Sequence, residues 1–210
     1  MSVFVPRRFQ KAGRPAPTRH SIHPLLAARW SPRAFAPDET VSSDQLHSIL
    51  EAARWAPSSF NEQPWRFVVG TREEPEFLSA LQDLLMEGNS WARAAPVLIL
   101  SAYTPTSGRD GSRNRVALRD LGAAEENLVL QAFDLGLVTH QMGGFDVERA
   151  RKLLPGDLEP GSMIAVGPPG DAEELPDRLK EREERPRRRR PLDTMVSLGH
   201  WDDFRDPDDG

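Results

Sequence analysis

The apolar run in the middle of the chain limits the possible folds more than any other feature. Ala94–Leu100 (AAPVLIL) is strictly apolar and seven residues long, which is far too short to cross a bilayer. Its continuation, Pro96–Tyr103, is rich in β-branched and aliphatic residues. A run of this length and composition is typical of a central strand that is buried on both faces. The chain therefore needs apolar elements on both sides of this strand.

Amphipathic helices and further strands surround this central strand. Ser42 with Gln45 has the spacing of a capping box, and it precedes an apolar stripe that Pro57 ends. Helical periodicity predicts four further helices: His23–Arg29, Pro75–Glu87, Val116 to about Leu135 with Gly136 as its C-cap, and Val147–Leu154. Alternation predicts two further strands: Trp65–Thr71 and Ser162–Val166. Interleaved strands and helices favour an α/β or α+β class.

The two ends of the chain differ from its middle in charge and proline content. We divide the 210 residues into an N-terminal arm (1–19), one folded domain (20–200) and an acidic tail (201–210) that holds five aspartates. Within the domain, 171–190 is a highly charged excursion that we expect to stay out of the core, and 186–200 is a C-terminal arm. The Arg7-Arg8 pair is not followed by an apolar segment, so no export signal is predicted.

Composition excludes several classes of chemistry. The chain has no cysteine, which excludes disulfides, thiolate nucleophiles and cysteine-ligated metals. Its net charge of −5 argues against a general nucleic-acid binder, and no membrane span is predicted. The five histidines are scattered, so we predict no metal site, and the P-loop and nucleophile-elbow motifs are absent. If the protein is an enzyme, an organic cofactor is expected to carry the chemistry, in the cytoplasm.

Three polar clusters interrupt the apolar pattern, and each has two readings. The segment 29–33 (RWSPR) suits an anionic ligand because guanidinium groups bind phosphate, but it also fits a solvated turn. The segment 57–65 (PSSFNEQPW) can present hydroxyl and amide groups to a heterocycle, or simply connect two elements. The segment 141–145 (QMGGF) allows close approach of a flat ligand, or forms a turn between helices.

In this order and spacing, the three clusters resemble the FMN-dependent nitroreductase family. The resemblance runs from about His20 to Trp201, and its most specific stretches are PSSFNEQPWRFVVG, GNSWARAAPVLIL, GLVTHQMGGF and RRPLDTMVSLGHW. It implies an α+β fold with a central, mostly antiparallel sheet flanked by helices. It also implies an intertwined homodimer with FMN at the subunit interface.

The resemblance further implies which residues bind the cofactor. The first group, from the Arg-rich segments, would hold the phosphate, the ribityl chain and the N1/C2=O edge of the flavin: Arg29, Trp30, Ser31, Arg33, Arg187 and Arg189. The second group would reach the same flavin from the other subunit: Pro57, Ser58, Ser59 and Asn61. The third group would contact the pyrimidine edge and line the ring: Asn89, Gln141, Met142, Gly143 and Gly144. We interpret Phe60, Trp65 and Phe145 as core or pocket wall.

The implied reaction is a ping-pong transfer of hydride from NADH or NADPH, through flavin N5, to a small-molecule acceptor such as a nitro compound or a quinone. No side chain is predicted to be catalytic, because the flavin carries the chemistry. The polar segment Thr104–Arg115 is short, so we expect an open substrate pocket. Two alternatives stay open: another flavin reaction, such as reductive dehalogenation or flavin-fragmenting synthesis, and a non-catalytic protein that binds flavin or contacts nucleic acid through Arg182–Arg190.

Overall fold

The structure of the chain is a computed structural model, and it describes residues 15–199. Most of the predicted N-terminal arm and the whole acidic tail lie outside the described residues.

A four-stranded antiparallel sheet forms the centre of the domain. Its order is β1-β2-β4-β3, and all three neighbouring pairs are antiparallel. The strands are β1 (Trp65–Thr71), β2 (Val97–Tyr103), β3 (Val138–Met142) and β4 (Glu159–Gly167). The α+β class with an antiparallel sheet is therefore confirmed, and β2 is one of the two inner strands, as the apolar run predicted.

The sheet is buried on both faces, which explains why the sequence of β2 lacks alternation. Leu98 and Leu100 point into one hydrophobic cluster, and Val97 and Ile99 point into another. Successive side chains of a strand leave opposite faces, so a strand with helices on both sides must be apolar at every position.

Helices cover both faces of the sheet. They are α1 (Pro24–Ala28), α2 (Ser43–Arg54), α3 (Pro75–Gln82), α4 (Ala117–Asp134), α5 (Val147–Leu153) and α6 (Asp177–Glu184), with 3₁₀ segments at Ser59–Asn61, Glu87–Ala94, Ala172–Glu174 and Leu192–Thr194. The capping box at α2 is confirmed: Ser42 Oγ accepts from the Gln45 amide at 3.2 Å, and Gln45 Oε1 accepts from the Ser42 amide at 3.0 Å. Gly136 follows α4 with φ of 81°, as expected of its C-cap.

The structure differs from the sequence prediction at three elements. Strand β3 was missed, because Thr139, His140 and Gln141 make its pattern polar, although Thr139 is in fact buried. Helix α3 ends at Gln82 rather than at Glu87. Strand β4 begins at Glu159, three residues before the predicted start at Ser162.

The charged excursion is more ordered and more buried than its composition suggested. It contains α6, and the Glu183 side chain on that helix is only 8% exposed. No residue of 171–190 belongs to either hydrophobic cluster, as expected, but Glu183 is nevertheless buried. Glu183 tolerates burial because it pairs with the guanidinium of Arg33, a partner that is distant in sequence.

Candidate functional site

The segment that follows α1 holds the first cluster of predicted site residues. Arg29 is 20% exposed in its side chain, and its Nη1 donates to Ser31 Oγ at 3.4 Å. Its Nε lies 3.8 Å from Glu126 Oε1 on α4. Trp30 packs edge-to-face on Phe133, with 6.0 Å between ring centroids. Because Trp30 packs against the core, the backbone of its neighbours Arg29 and Ser31 has a fixed position, from which their side chains can bind a ligand.

The C-terminal arm brings a second guanidinium to the same helix. Arg187 Nη1 donates to the Ala27 carbonyl at 2.7 Å, and the residue is half-buried. Arg189 is exposed, and its Nη1 donates to the neighbouring Arg188 carbonyl at 2.9 Å. The structure therefore brings Arg187 to the end of α1, near Arg29, whereas Arg189 has no such contact with α1.

Arg33 lies between an aromatic ring and a carboxylate. Its Nη1 is 2.9 Å from Glu183 Oε1, and its guanidinium carbon is 5.8 Å from the centre of the Trp91 ring. At this distance the ring face attracts the cation. Both partners restrict the Arg33 side chain, so its charge has a defined position rather than a solvated, mobile one.

His140 on β3 anchors the same segment, and the sequence analysis missed it. Its Nδ1 donates to the Pro32 carbonyl at 2.9 Å, and its ring is 4.7 Å from the Trp91 ring. Burial, the largest effect, lowers the pKa of His140 to about 4, since a charged imidazolium loses its hydration there. A neutral His140 thus fixes Pro32, the residue between Ser31 and Arg33.

Asn89 joins the 3₁₀ segment 87–94 to the end of β3. Its Nδ2 donates to the Gly144 carbonyl at 2.9 Å, and the Met86 amide donates to the same oxygen at 3.2 Å. In the same segment, the indole Nε1–H of Trp91 is buried and has no hydrogen-bond partner among residues 15–199. A buried donor without an acceptor is costly unless a ligand or water accepts its hydrogen bond.

A buried carboxylate, that of Glu125, fixes the side chain of Gln141, which lies two residues before the paired glycines. Gln141 Nε2 donates to Glu125 Oε2 at 2.9 Å, and Glu125 Oε1 also accepts from Ser101 and Ser162 at 2.5 and 2.8 Å. Met142 is only 4% exposed and packs in the core. With its side chain in the core, Met142 can line a flat ligand only through its backbone, and the neighbouring Gly143 is exposed.

The second predicted cluster, which we call the hydroxyl loop (Pro57–Gln63), lies before β1 and has strained backbone. Phe60, Asn61 and Gln63 all have positive φ, at 50°, 56° and 48°. Non-glycine residues rarely adopt this conformation, and such strain concentrates at functional sites. Of the three aromatic residues interpreted as core or pocket wall, Phe60 is 77% exposed and so is not part of the core, whereas Trp65 and Phe145 are buried.

Hydrogen bonds hold the hydroxyl loop in this strained shape. The Ser59 amide donates to Oδ2 of the buried Asp120 on α4 at 2.9 Å, and Ser58 Oγ accepts from the Gln63 amide at 3.0 Å. Glu62 accepts from Ser107 Oγ at 2.7 Å. These bonds fix the backbone at Asn61, whose side chain is exposed. Pro57 is also exposed.

The contacts bring most predicted residues of the first and third groups together within one chain. The segment that contains Arg29, Ser31 and Arg33 is bonded to β3 through Pro32 and His140. The His140 ring contacts Trp91, which lies in the same 3₁₀ segment as Asn89, and Asn89 donates to the Gly144 carbonyl. The sequence signals for the missed residues were present. Trp91 stands in GNSWARAAPVLIL and His140 in GLVTHQMGGF, both inside the stretches that carried the resemblance.

Residues 15–199 contain neither a metal-binding cluster nor a membrane-spanning helix. Among them, no group of three or more His, Cys, Asp or Glu side chains has the arrangement of a metal site. In this described range, no helix is both long enough and apolar enough to cross a membrane.

Comparisons with known proteins show the family. The sequence model of the nitroreductase family matches residues 26–168. A 15.4 kDa protein of undetermined function from Mycolicibacterium smegmatis is 37% identical over 144 residues, which cover 65% of this chain and 97% of that protein. A protein from Archaeoglobus fulgidus, provisionally named NADH dehydrogenase/NAD(P)H nitroreductase, is 27% identical over 157 residues, with 72% and 87% covered.

A solved structure extends the likeness to three dimensions. The crystal structure of an oxidoreductase containing FMN superposes with a TM-score of 0.82 at 35% identity, and covers 89% of this chain and 96% of that one. An antiparallel sheet with helices on both faces defines an α+β protein. With the family match over residues 26–168, the chain belongs to the nitroreductase family, and it is an oxidoreductase.

Proposed function

We propose that this protein is an FMN-dependent oxidoreductase that uses NAD(P)H to reduce small acceptors such as nitro compounds or quinones, in a ping-pong reaction. FMN and NAD(P)H are supported by the names of the similar proteins described above. The gathering of Arg29, Ser31 and Arg187 at the end of α1 carries the proposal, because two guanidiniums and a hydroxyl suit a phosphate dianion.

The residue types of the site suit FMN in charge and in hydrogen bonding. Arg29, Ser31 and Arg187 would hold the phosphate and ribityl end, with Arg189 on the same arm. Arg33 would place a positive charge beside the N1/C2=O edge, where reduced flavin is negative. The unpartnered Trp91 indole N–H, a donor that a ligand acceptor would satisfy, lies in the segment that also supplies Asn89 for the pyrimidine edge.

The exposed backbone at Gly143 and the partly exposed Gly144 would face the flavin ring. Bound FMN supplies the redox chemistry, since its ring accepts hydride from the reduced nicotinamide and returns it to the acceptor. The chain itself binds, orients and sets charge. His140 does not serve as an acid near neutral pH, because it is neutral and its Nδ1–H is engaged by Pro32.

The functional unit that we propose is a homodimer. In each site the hydroxyl loop, with Pro57, Ser58, Ser59 and Asn61, would come from the second copy. Exposed apolar side chains on the C-terminal arm support this assembly, since such side chains are rarely left in water together. They are Leu192, Met195, Val196 and Leu198, at 56%, 52%, 41% and 86% exposure. A cytoplasmic location stays a prediction of the sequence.

The proposal is tested on the purified full-length protein. We expect a yellow protein that releases about one FMN per subunit on denaturation, loses its flavin absorbance on anaerobic addition of NADH or NADPH, and regains it when a nitroaromatic compound or a quinone is added. A colourless protein that does not take up FMN would contradict the proposal. A yellow protein that neither reductant bleaches would point instead to a different flavin reaction.

A further inference from the structure

A cavity lies at the end of β2 and is lined mainly by the segment that follows this strand. It has a volume of about 930 Å³, and we call it the Tyr103 groove. Its lining includes Tyr103, Arg113, Asn114, Arg115, Leu118 and Glu159. The volume is within the usual range of about 300–1,000 Å³ for small-molecule sites, so a ligand of nucleotide size can be accommodated.

The charge of the groove is positive. Arg113 and Arg115 form no salt bridge with any residue between 15 and 199, and both are exposed. The carboxylate in the lining, Glu159, accepts hydrogen bonds from Arg151 Nε and Nη2 at 3.1 and 2.9 Å. Arg151 also pairs with Glu148, so it offsets only part of the negative charge of Glu159, and the lining carries two guanidiniums, Arg113 and Arg115, against this one carboxylate.

The groove also contains an unsatisfied donor and a flat apolar wall. Asn114 Oδ1 accepts from the Val116 amide at 3.2 Å, whereas its Nδ2 is buried and has no partner in the described part of the chain. The Leu118 side chain is 59% exposed, and Tyr103 adds an aromatic ring. The lining thus combines cations, an amide donor and a ring, which together suit an anionic ligand with an aromatic part.

Hydrogen bonds connect the groove to the hydroxyl loop. The Thr104 amide donates to the Pro64 carbonyl at 2.9 Å, and Ser107 Oγ and the Gly108 amide donate to Glu62 at 2.7 and 2.9 Å. The segment that carries Arg113 and Arg115 is therefore attached to the loop that the proposed function places at the flavin. A ligand in the groove would therefore contact a segment that is bonded to the loop proposed to reach the flavin of the second copy.

We propose that the Tyr103 groove binds the adenosine 2′,5′-bisphosphate half of NADPH, with Arg113 and Arg115 on the 2′-phosphate and the adenine against Tyr103. This inference rests on the proposed function, in which a reduced nicotinamide nucleotide is the hydride donor. NADH carries a hydroxyl at the 2′ position, so it leaves both guanidiniums without an anionic partner. The groove therefore selects NADPH over NADH.

The direct test is calorimetric titration of the FMN-saturated protein with adenosine 2′,5′-bisphosphate and with 5′-AMP. Saturation with FMN keeps the probes away from the flavin phosphate site. We expect the bisphosphate to bind at least about tenfold more tightly than 5′-AMP, because a phosphomonoester accepts charge-assisted hydrogen bonds from the guanidiniums. In the Arg113→Gln/Arg115→Gln variant that preference should disappear, and the ratio of kcat/KM for NADPH to that for NADH should fall by about the same factor.

Arg93→Gln is the matched control, since it removes one exposed arginine that pairs with Asp83 outside the groove. It should keep the wild-type preference. Equal binding of the two probes by the wild-type protein would overturn the inference, and so would a preference that survives in the double variant. Displacement of the bisphosphate by equimolar inorganic phosphate would also overturn it, because the groove would then be a general anion site.

This outcome is separable from that of the proposed function. If NADH and NADPH bleach the flavin with equal efficiency and the probes bind alike, the oxidoreductase proposal stands and the groove assignment falls. If the protein takes up no FMN, the titration is carried out on the flavin-free protein, where selective binding of the bisphosphate that depends on Arg113 and Arg115 would support the groove alone.

Discussion

The two parts of the candidate flavin site are supported in different ways. Hydrogen bonds, ion pairs and ring contacts lead from the segment Arg29–Arg33 to β3, α4 and α6, so this half is fixed by the centre of the domain. The hydroxyl loop, whose backbone is strained, is instead held by Asp120 at the start of α4 and by hydrogen bonds from Gln63 to Ser58 and from Ser107 to Glu62. The segment Arg29–Arg33, which is fixed by the core, is suited to binding the charged groups of a ligand. The strained peripheral loop is suited to contacting a second copy of the chain.

The largest expected effect tests whether the two halves meet across subunits. Arg29→Ala and Ser58→Ala/Asn61→Ala proteins should each bind FMN about 10- to 100-fold more weakly, because a charged ligand loses hydrogen bonds worth about 1.5–3 kcal/mol. In a mixed dimer, one of the two sites would contain neither change. Dimers purified through two different tags should therefore regain about one tightly bound FMN per two subunits.

The control for this complementation replaces Arg29→Ala by Arg93→Ala, which lies outside both halves and should bind FMN normally by itself. If the mixed Arg29→Ala dimers bind FMN as poorly as either parent, both halves of each site come from the same copy. That result would contradict the homodimeric site but not the family membership.

The anchoring of the first half by His140 predicts a pH-dependent stability. The pKa of His140 is lowered from about 6.5 in the unfolded chain to about 4 in the folded one, so the unfolded state binds more protons between these values. Its contribution is fully present above about pH 6.5 and is lost as the pH falls toward 4, by up to about 3 kcal/mol. In His140→Gln, which can still donate to Pro32, this loss should be absent.

The measurement is the free energy of unfolding by urea at several pH values between 4 and 7, for wild type and His140→Gln. Other groups contribute to the acid side of both curves, so the difference between the curves is what matters. Parallel curves would show that burial of the imidazole does not couple protonation to folding.

The ion pair between Arg33 and Glu183 predicts a smaller effect on the flavin. In Glu183→Gln the guanidinium loses its buried negative partner, so more positive charge acts on the flavin edge and the reduced form is stabilised. We expect the two-electron potential to rise by about 20–30 mV, which corresponds to about 1 kcal/mol. Glu184→Gln, an exposed neighbour on α6, is the control. A potential that is unchanged in Glu183→Gln would place Arg33 away from the flavin.

The smallest effect distinguishes the paired glycines. A Cβ at Gly144 would lie 2.5 Å from Asn89 Nδ2, whereas a Cβ at Gly143 would meet nothing within 4 Å. Gly144→Ala should therefore displace the Asn89 amide and lower the free energy of unfolding by about 1 kcal/mol, the net value of one hydrogen bond. Gly143→Ala should change it little. Thermal unfolding of the two variants side by side checks this. Equal stabilities would contradict a stabilising role of the hydrogen bond from Asn89 to the Gly144 carbonyl.

Much of the fold was predictable because local patterns and tertiary packing agree. Strand β1 matches its predicted range, and α4 starts one residue after its predicted start and ends one residue before its predicted end. The capping box at Ser42 is a local device that needs no partner elsewhere. Strand β3 was missed because its polar residues are satisfied by partners from other elements, such as the Pro32 carbonyl for His140 and Glu125 for Gln141.

The same contrast applies to the candidate site. The sequence named Arg29, Ser31, Arg33, Asn89 and Gly144, since these residue types stand in stretches with a strong family pattern. It did not name Trp91, His140 or Glu183, which contact and position the segment that contains the named arginines. Their effect depends on contacts between elements that are distant in the chain, such as Arg33 with Glu183 and Pro32 with His140, and no local pattern records such contacts.

By itself, the sequence determined that a strand buried on both faces lies at the centre, that no thiol chemistry is possible, and that arginines, hydroxyls and paired glycines occur in the order of one family. The tertiary structure decided which of these side chains are fixed and by what: Arg33 by Glu183 and Trp91, Pro32 by His140, and the hydroxyl loop by Asp120. The physical reason is that apolar periodicity is encoded locally, whereas the burial of a charge or an imidazole is tolerated only where a distant partner happens to lie.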